Sequence, residues 1–189
     1  SRARAEGENP VLHRPFDYGS VISYALDASN WQATRFSDGR SHGVWYGSLE
    51  LETTVYETTF HWHRFVTDSF AGEDREIRGE RRVFKVACDA LLVDLRGRHR
   101  QHPQLIDRRN YAYCQSLGQH LMSQRQNGLL VESARCTGGT NAALFTANHL
   151  SNVRDLCLLT YKCNPSVDQI SVERTPGRAW LRFRASELY

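Results

Sequence analysis

The chain has 189 residues, of which 40% are hydrophobic and 24% are charged, and its formal net charge is +3. This size and composition are typical of one folded domain with its own core. No run of about 18 apolar residues is present, so the sequence predicts no membrane-spanning helix. So small a net charge does not by itself indicate a nucleic-acid-binding protein. We predict a disordered lead-in without a secretory signal over residues 1–10, and one domain over residues 11–189.

Eight short runs rich in β-branched or aromatic residues, bounded by turn residues, predict β-strands. They are Val11–Arg14, Ala33–Phe36, Gly43–Tyr46, Val83–Ala87, Leu91–Asp94, Leu129–Glu132, Ala142–Phe145 and Ala179–Arg184. The last run alternates apolar and basic residues, which is typical of an edge strand. Two polar segments, Phe70–Arg82 and Arg96–Gln104, are predicted to be surface loops.

Two longer segments have the three- and four-residue periodicity of amphipathic helices. The first is Leu49–Thr67, with Ser48 as the predicted N-cap. Its predicted buried stripe consists of Leu51, Val55, Thr58, Trp62 and Phe65. The second is Asn110–Gln126, ended by Asn127-Gly128, with Tyr113, Leu117, His120 and Leu121 on one face. Strands interleaved with helices predict a mixed α/β (α+β) domain with antiparallel pairing near the C-terminus.

The cysteines and histidines give little indication of a metal site. The five cysteines are odd in number and form no Cys-x-x-Cys pair, so neither a disulfide framework nor a zinc site is predicted. Free thiols fit the reducing cytoplasm best, and this is the predicted location. His61 and His63 lie two residues apart on a predicted helix and point in different directions, so they cannot share an ion there; a strand over Phe60–Val66 would instead place them on one face.

Four polar side chains occur among apolar neighbours: Arg35, Tyr46, Glu57 and Ser133. Each has an ordinary structural explanation, as a surface arginine, a core-edge tyrosine, a helix-surface glutamate or a strand-end serine. In one pocket they would suit an anionic ligand with a sugar-like reacting centre. Arginine forks onto two phosphate oxygens, and a carboxylate stabilises an oxocarbenium-like sugar cation. No Gly-x-Ser-x-Gly elbow surrounds Ser133, so a nucleophilic serine is poorly supported.

From about residue 34 to residue 149 the chain resembles the RES domain, a family named for its arginine, glutamate and serine. The stretches that carry the resemblance are Arg35-Phe-Ser-Asp-Gly, Gly43-Val-Trp-Tyr-Gly-Ser, Thr54-Val-Tyr-Glu-Thr, Leu105-Ile-Asp, Tyr113-Cys-Gln-Ser-Leu-Gly, Gly128-Leu-Leu-Val-Glu-Ser-Ala-Arg, Asn141 and Leu144-Phe145. The family's fold is similar to that of ADP-ribosyltransferase toxins.

The resemblance implies a bacterial toxin of a toxin–antitoxin pair that cleaves the nicotinamide–ribose bond of NAD⁺ and passes ADP-ribose to inorganic phosphate or to water. It implies an Xre-type antitoxin as partner, with nucleic acid contacted only through that antitoxin, and no membrane. Carried over by motif, the catalytic residues are Arg35, Glu57 and Ser133. The implied NAD⁺-binding residues are Arg35, Phe36, Tyr46, Ser133 and Asn141, with no metal.

The hypothetical roles follow from the chemistry of these groups. Arg35 would hold the diphosphate or the nicotinamide ribose, and Tyr46 would stack on the nicotinamide ring. Glu57 would stabilise the ribosyl cation, and Ser133 would anchor the nicotinamide end or the phosphate acceptor.

Two other functions remain open at the level of sequence. An enzyme of the same fold could ADP-ribosylate a target protein. A nucleic-acid-binding module is the non-enzyme alternative, because Arg96-Gly-Arg-His-Arg and Asp107-Arg-Arg are basic. These basic residues are interrupted by acidic ones and match no known binding motif.

Overall fold

The computed structural model describes residues 19–189, which contain ten strands, three α-helices and five short 3₁₀ helices. The helices are α1 (Ser20–Ser23), α2 (Leu51–Ser69) and α3 (Ala112–Ser123). The strands are β1 (Ala33–Thr34), β2 (Ser37–Asp38), β3 (Trp45–Ser48), β4 (Ile77–Cys88), β5 (Val93–Asp94), β6 (Gly128–Glu132), β7 (Thr140–Leu144), β8 (Leu150–Cys163), β9 (Ile170–Thr175) and β10 (Arg178–Phe183). The predicted mixed α+β domain is confirmed. The predicted lead-in and the predicted strand Val11–Arg14 lie outside the described residues.

The strands form three sheets. A small hairpin pairs β1 with β2, and a second sheet has the order β3-β7-β6-β5, antiparallel except for the short parallel β5–β6 pair. The third sheet, in the order β10-β9-β8-β4, is antiparallel throughout. The antiparallel pairing expected near the C-terminus is therefore confirmed, and β10 is an edge strand as its alternation predicts.

Helix α2 confirms the longer predicted helix but begins later. Its N-cap is Glu50, whose Oε2 accepts hydrogen bonds from Thr53 Oγ1 at 2.9 Å and from the Thr140 backbone N–H at 3.1 Å. The predicted cap Ser48 belongs instead to β3, where its hydroxyl donates to Asn141. The buried side chains of α2 are Thr53, Val55, Thr59, Trp62, His63 and Val66. Thr58 and Phe65, both predicted to be buried, are exposed, Phe65 by 59%.

Helix α3 confirms the second predicted helix and is shorter at both ends. Cys114, Gly118 and Leu121 are its buried residues, whereas Tyr113 and His120, predicted to share one face with Leu121, are exposed. Arg125, with a φ of 55°, takes the left-handed conformation just after the helix, the position predicted for Asn127-Gly128.

The third sheet contains the largest departures from the prediction. The predicted loop Phe70–Arg82 becomes strand from Ile77 onward, and neither β8 nor β9 was predicted. These strands carry charged residues because one face of the sheet is largely exposed to solvent, so their apolar pattern is diluted. The predicted strand Ala33–Phe36 ends after Thr34, and its last two residues form the turn of the β1–β2 hairpin.

Two main cores flank the region where the functional residues converge. One packs α2 against the third sheet and against a 3₁₀ turn at Ala185–Leu188. The other packs α3 and the β1–β2 hairpin onto the second sheet, with Phe36, Leu121, Leu129 and Val131 among its buried residues. No helix within residues 19–189 is long and apolar enough to cross a bilayer.

Gly118→Ala is expected to destabilise the protein. A methyl group at this position would lie well inside van der Waals contact with the backbone carbonyl of Phe36, so α3 and the hairpin would have to separate. Overpacking of this kind costs about 1–3 kcal/mol in free energy of unfolding. Chemical denaturation measures the change, and Gln119→Ala, on the exposed side of the same helix, should change stability by less than about 0.5 kcal/mol. Equal stability of the two variants would contradict this close approach.

Candidate active site

A cavity of about 1000 Å³ opens between α2, the β1–β2 hairpin and the segment after residue 107, with Tyr189 at one side. Its wall includes four of the six predicted site residues: Arg35, Tyr46, Glu57 and Asn141. They come from a hairpin turn, strand β3, helix α2 and strand β7. Phe36 and Ser133 are not part of the wall. The cavity is large enough for a dinucleotide-sized ligand, since ligand pockets are typically about 300–1,000 Å³.

The Glu57 carboxylate lies at the wall of this cavity and is held by three donors. Its Oε1 accepts hydrogen bonds from Ser133 Oγ at 2.6 Å and from Asn141 Nδ2 at 2.7 Å. Its Oε2 accepts from Arg135 Nη1 at 3.2 Å. The Glu57 side chain is 22% exposed and that of Arg135 is 3% exposed. The carboxylate is therefore fixed in place while one side of it faces the cavity.

Ser133 is a support for Glu57 and not a free hydroxyl. Its Oγ donates to the carboxylate and accepts the backbone N–H groups of Arg135 at 3.1 Å and Cys136 at 2.9 Å. The hydroxyl proton is thereby committed, and the oxygen closes a local turn after β6. The hydroxyl is buried, so its geometry favours positioning the carboxylate over anchoring a ligand.

Arg135 is a site residue that sequence reasoning missed. Its guanidinium donates to Glu57 through Nη1 and to the Tyr111 hydroxyl through Nη2 at 2.8 Å. The central carbon of the guanidinium lies 3.7 Å from the centroid of the Phe60 ring, which is a cation–π contact. One feature of the sequence pointed to Arg135: it lies two residues after Ser133, at the end of the motif Gly128-Leu-Leu-Val-Glu-Ser-Ala-Arg. Nothing local indicated that it would turn back to α2.

Arg35 lines the cavity, but its guanidinium is largely used within the protein. Nη1 donates to the backbone carbonyl of Glu132 at 3.1 Å, and Nη2 donates to that of Leu105. Only Nε is without a hydrogen-bond partner within the described residues. The guanidinium thus joins three distant stretches of chain and brings positive charge to the cavity wall. It does not present the free two-pronged edge that a phosphate clamp requires.

Phe36, predicted to bind the ligand, is a core residue. Its ring is fully buried among the side chains under the second sheet, which leaves no surface for a ligand. The neighbouring backbone is nevertheless tied to the site, because the Phe36 N–H donates to the Tyr46 hydroxyl at 3.0 Å.

The Tyr46 ring is 37% exposed on the cavity wall, while its hydroxyl lies at the buried end. That hydroxyl also donates to Thr34 Oγ1 at 3.2 Å. Burial raises the pKa of Tyr46 well above the ordinary value for tyrosine. The phenol therefore stays neutral and anchors a flat ring face toward the cavity.

Two histidines on α2 have different surroundings. His61 lines the cavity and is exposed to solvent, and partial desolvation by the surrounding atoms together with the Arg135 charge lowers the pKa of His61. His63 is buried on another side of the helix, and its Nδ1 is 2.9 Å from the Tyr189 hydroxyl. Burial likewise lowers the pKa of His63. Within the described residues, no group of three or more His, Cys, Asp or Glu side chains is placed to share a metal ion.

The charge on the cavity wall is strongly positive. Among residues 19–189, five arginines line it, Arg35, Arg64, Arg108, Arg109 and Arg135, against two side-chain carboxylates, Glu57 and Asp68. A cavity of this kind attracts anionic ligands. The Glu57 carboxylate, held in place among these cations, suits a ligand that is negative overall but develops positive charge at one atom.

Comparison with protein families assigns the chain. A family model described as the RES domain matches residues 2–167. The chain belongs to the RES domain family. The match includes all the motif stretches described above. Comparison with curated proteins gave no significant match.

Ser133→Ala is expected to destabilise this RES domain. The backbone N–H groups of Arg135 and Cys136 lose their acceptor, and Glu57 loses a donor. Leaving a buried donor unsatisfied costs about 1–3 kcal/mol in free energy of unfolding. Denaturant titration measures the loss, with Ser116→Ala on the exposed surface of α3 as the matched control. A variant as stable as the control would show that Ser133 is not a structural support.

The buried His63 is expected to make the stability of the RES domain pH-dependent. Its pKa is lowered in the folded state, so the unfolded state binds more protons below the ordinary value of 6.5. The contribution of the neutral His63 side chain to the free energy of unfolding is fully present above pH 6.5. It is lost as the pH falls from there through the folded-state pKa of His63. His63→Gln should therefore lose less stability than the parent protein between about pH 7.5 and about pH 5.5 in thermal denaturation. His120→Gln, on the exposed side of α3, should follow the parent protein; a His63→Gln curve parallel to both would contradict the assignment.

Proposed function

We propose that this protein cleaves the nicotinamide–ribose bond of NAD⁺, as a toxin that passes the ADP-ribose to inorganic phosphate or to water. The observation that carries the proposal is the Glu57 carboxylate, held by Ser133, Asn141 and Arg135 at the wall of a cation-rich cavity. Membership of the RES family supports it independently.

The chemistry requires one localised negative charge. When the C1′–N bond breaks, its electron pair stays on the nitrogen, so neutral nicotinamide leaves and positive charge develops on the ribose. A carboxylate fixed beside that carbon stabilises the oxocarbenium-like transition state. An oxygen of phosphate or water then bonds to C1′, and in the case of water a proton is released to solvent. No metal or redox step enters this balance.

The other cavity residues would orient the dinucleotide. The exposed face of Tyr46 offers a flat apolar surface for the nicotinamide ring, since aromatic rings prefer stacked contacts. Asn141 would act through Glu57, because its amide is shared between that carboxylate and the Ser48 hydroxyl. Arg35 would supply positive charge to the wall. Ser133 would act as a positioning residue for the same carboxylate.

The neutral aromatic and histidine residues around Glu57 fit a buried sugar-like centre. Phe60, His61 and Tyr111 line the cavity beside it, and the lowered pKa of His61 keeps that ring neutral near pH 7. An Xre-type antitoxin occupying this cavity, and action in the cytoplasm, belong to the same proposal.

Glu57→Gln is expected to lower NAD⁺ turnover by about two to three orders of magnitude in kcat, because removing one well-placed electrostatic group costs about that much. Gln has nearly the same shape but leaves the buried Arg135 charge unpaired, so circular dichroism and thermal denaturation first establish that the variant is folded at the assay temperature. Nicotinamide release from purified protein measures the rate. Glu76→Gln is the matched control, since Glu76 is solvent-exposed and pairs with Arg78 away from the cavity. Unchanged turnover in Glu57→Gln would refute the role of this carboxylate.

Product analysis with and without inorganic phosphate identifies the acceptor. The substrate is NAD⁺ labelled in its ADP-ribose part. Labelled ADP-ribose 1-phosphate indicates phosphorolysis, free labelled ADP-ribose indicates hydrolysis, and label retained on a protein indicates ADP-ribosylation of that protein. The nucleic-acid alternative predicts salt-sensitive DNA binding with no NAD⁺ loss. That alternative rests partly on the basic segment that begins at Arg96. In the structure the Arg96 side chain is already paired with Asp94 through two hydrogen bonds of 2.9 and 2.7 Å.

A further inference from the structure

Three of the five arginines that line the cavity are already used within the protein. Arg35 donates to two backbone carbonyl groups and Arg135 to Glu57 and Tyr111. Arg108 donates through Nε to the Ala134 carbonyl at 2.6 Å and through Nη1 to the carbonyls of Glu187 and Tyr189 at 2.8 and 3.2 Å. These guanidinium groups hold the wall together, so they have little capacity left to bind a phosphate.

The other two arginines are free to bind. The Arg109 side chain is exposed and makes no hydrogen bond within residues 19–189, although its backbone N–H is fixed by Asp107 Oδ1 at 2.8 Å. Arg64 has only a loose contact with Asp68, at 3.9 Å between two well-exposed side chains. Such a pair contributes little to stability and is readily exchanged for a better anion.

The position of Arg64 relative to Glu57 is fixed by the helix. Seven residues along α2 are two turns, so the two side chains lie on the same face about 10 Å apart along the axis. His61 lies between them on that face. In a dinucleotide the sugar places the diphosphate closer than this to the reacting carbon, and a long side chain on a helix extends back toward the helix N-terminus, which brings the Arg64 guanidinium nearer to Glu57. Arg109 reaches the same cavity from the segment after residue 107.

We propose that Arg64 and Arg109 form the subsite for the diphosphate of the ligand, in place of Arg35. The inference rests on the proposed function for the identity of the whole ligand, but the subsite itself requires only a diphosphate-containing nucleotide. Arg64 binds the phosphates from helix α2 and Arg109 binds them from the segment after residue 107, while Glu57 addresses the ribose two helical turns away.

The test measures binding of ADP-ribose by titration calorimetry, which needs no turnover. Arg64→Gln and Arg109→Gln should each raise the Kd for ADP-ribose by about tenfold or more, because each variant loses a charge-assisted hydrogen bond to phosphate. Arg174→Gln, an exposed arginine of β9 outside the cavity, is the matched control for net charge. NAD⁺ turnover should show a raised KM with little change in kcat in the same two variants.

The outcomes separate this proposal from the proposed function. An unchanged Kd for ADP-ribose in the double variant, or an equal loss in Arg174→Gln, overturns the subsite. Weaker binding of inorganic phosphate alone, with ADP-ribose unaffected, would assign these arginines to the acceptor and also overturn it. If the parent protein binds ADP-ribose through Arg64 and Arg109 but cleaves no NAD⁺, the subsite stands and the proposed reaction fails.

Discussion

The interaction on which the site depends is the contact between the Glu57 carboxylate and the nearly buried Arg135 guanidinium. It joins helix α2 to the segment after β6, and Ser133 from that segment and Asn141 from β7 complete it. Breaking a buried ion pair leaves an uncompensated charge, which is far more costly than the pair is favourable. Each partner is also hydrogen-bonded elsewhere, so the members of the network support one another. The network therefore fixes both the position of the helix and the direction of its carboxylate.

The arginines that line the cavity fall into two groups, those bonded within the protein and those with free donors. Arg35, Arg108 and Arg135 tie together backbone and side-chain groups far apart in sequence, and their charge still contributes to the field inside the cavity. Arg64 and Arg109 keep their donors exposed. Arginine suits the first use because its planar group can bind several oxygens at once and is always charged. Arginines that are fixed by hydrogen bonds within the protein do not have to move when an anion enters the cavity, so their positive charge favours binding without reorganisation of the wall.

The sequence predicted those parts that depend on local pattern. The periodicity of Val55 and Trp62 identified α2, and motif order brought together Arg35, Tyr46, Glu57 and Asn141, which do line one cavity. It could not predict contacts set by tertiary packing. Arg35 bonds to carbonyl groups 70 and 97 residues away, and no local signal specifies such partners. Strands β8 and β9 escaped prediction because their solvent-facing charges obscure the apolar alternation.

The pairing of β7 with its neighbours has a consequence for how such a protein can vary. Asn141 stands opposite Ser48 on β3 and opposite Val131 on β6, two residues before Ser133. Because side chains alternate between the faces of a sheet, a shift by a single position would turn Asn141 away from α2. Insertions and deletions should therefore be tolerated in the turns around these strands but selected against within them. The number of residues in β3, β6 and β7 should accordingly change little among related proteins.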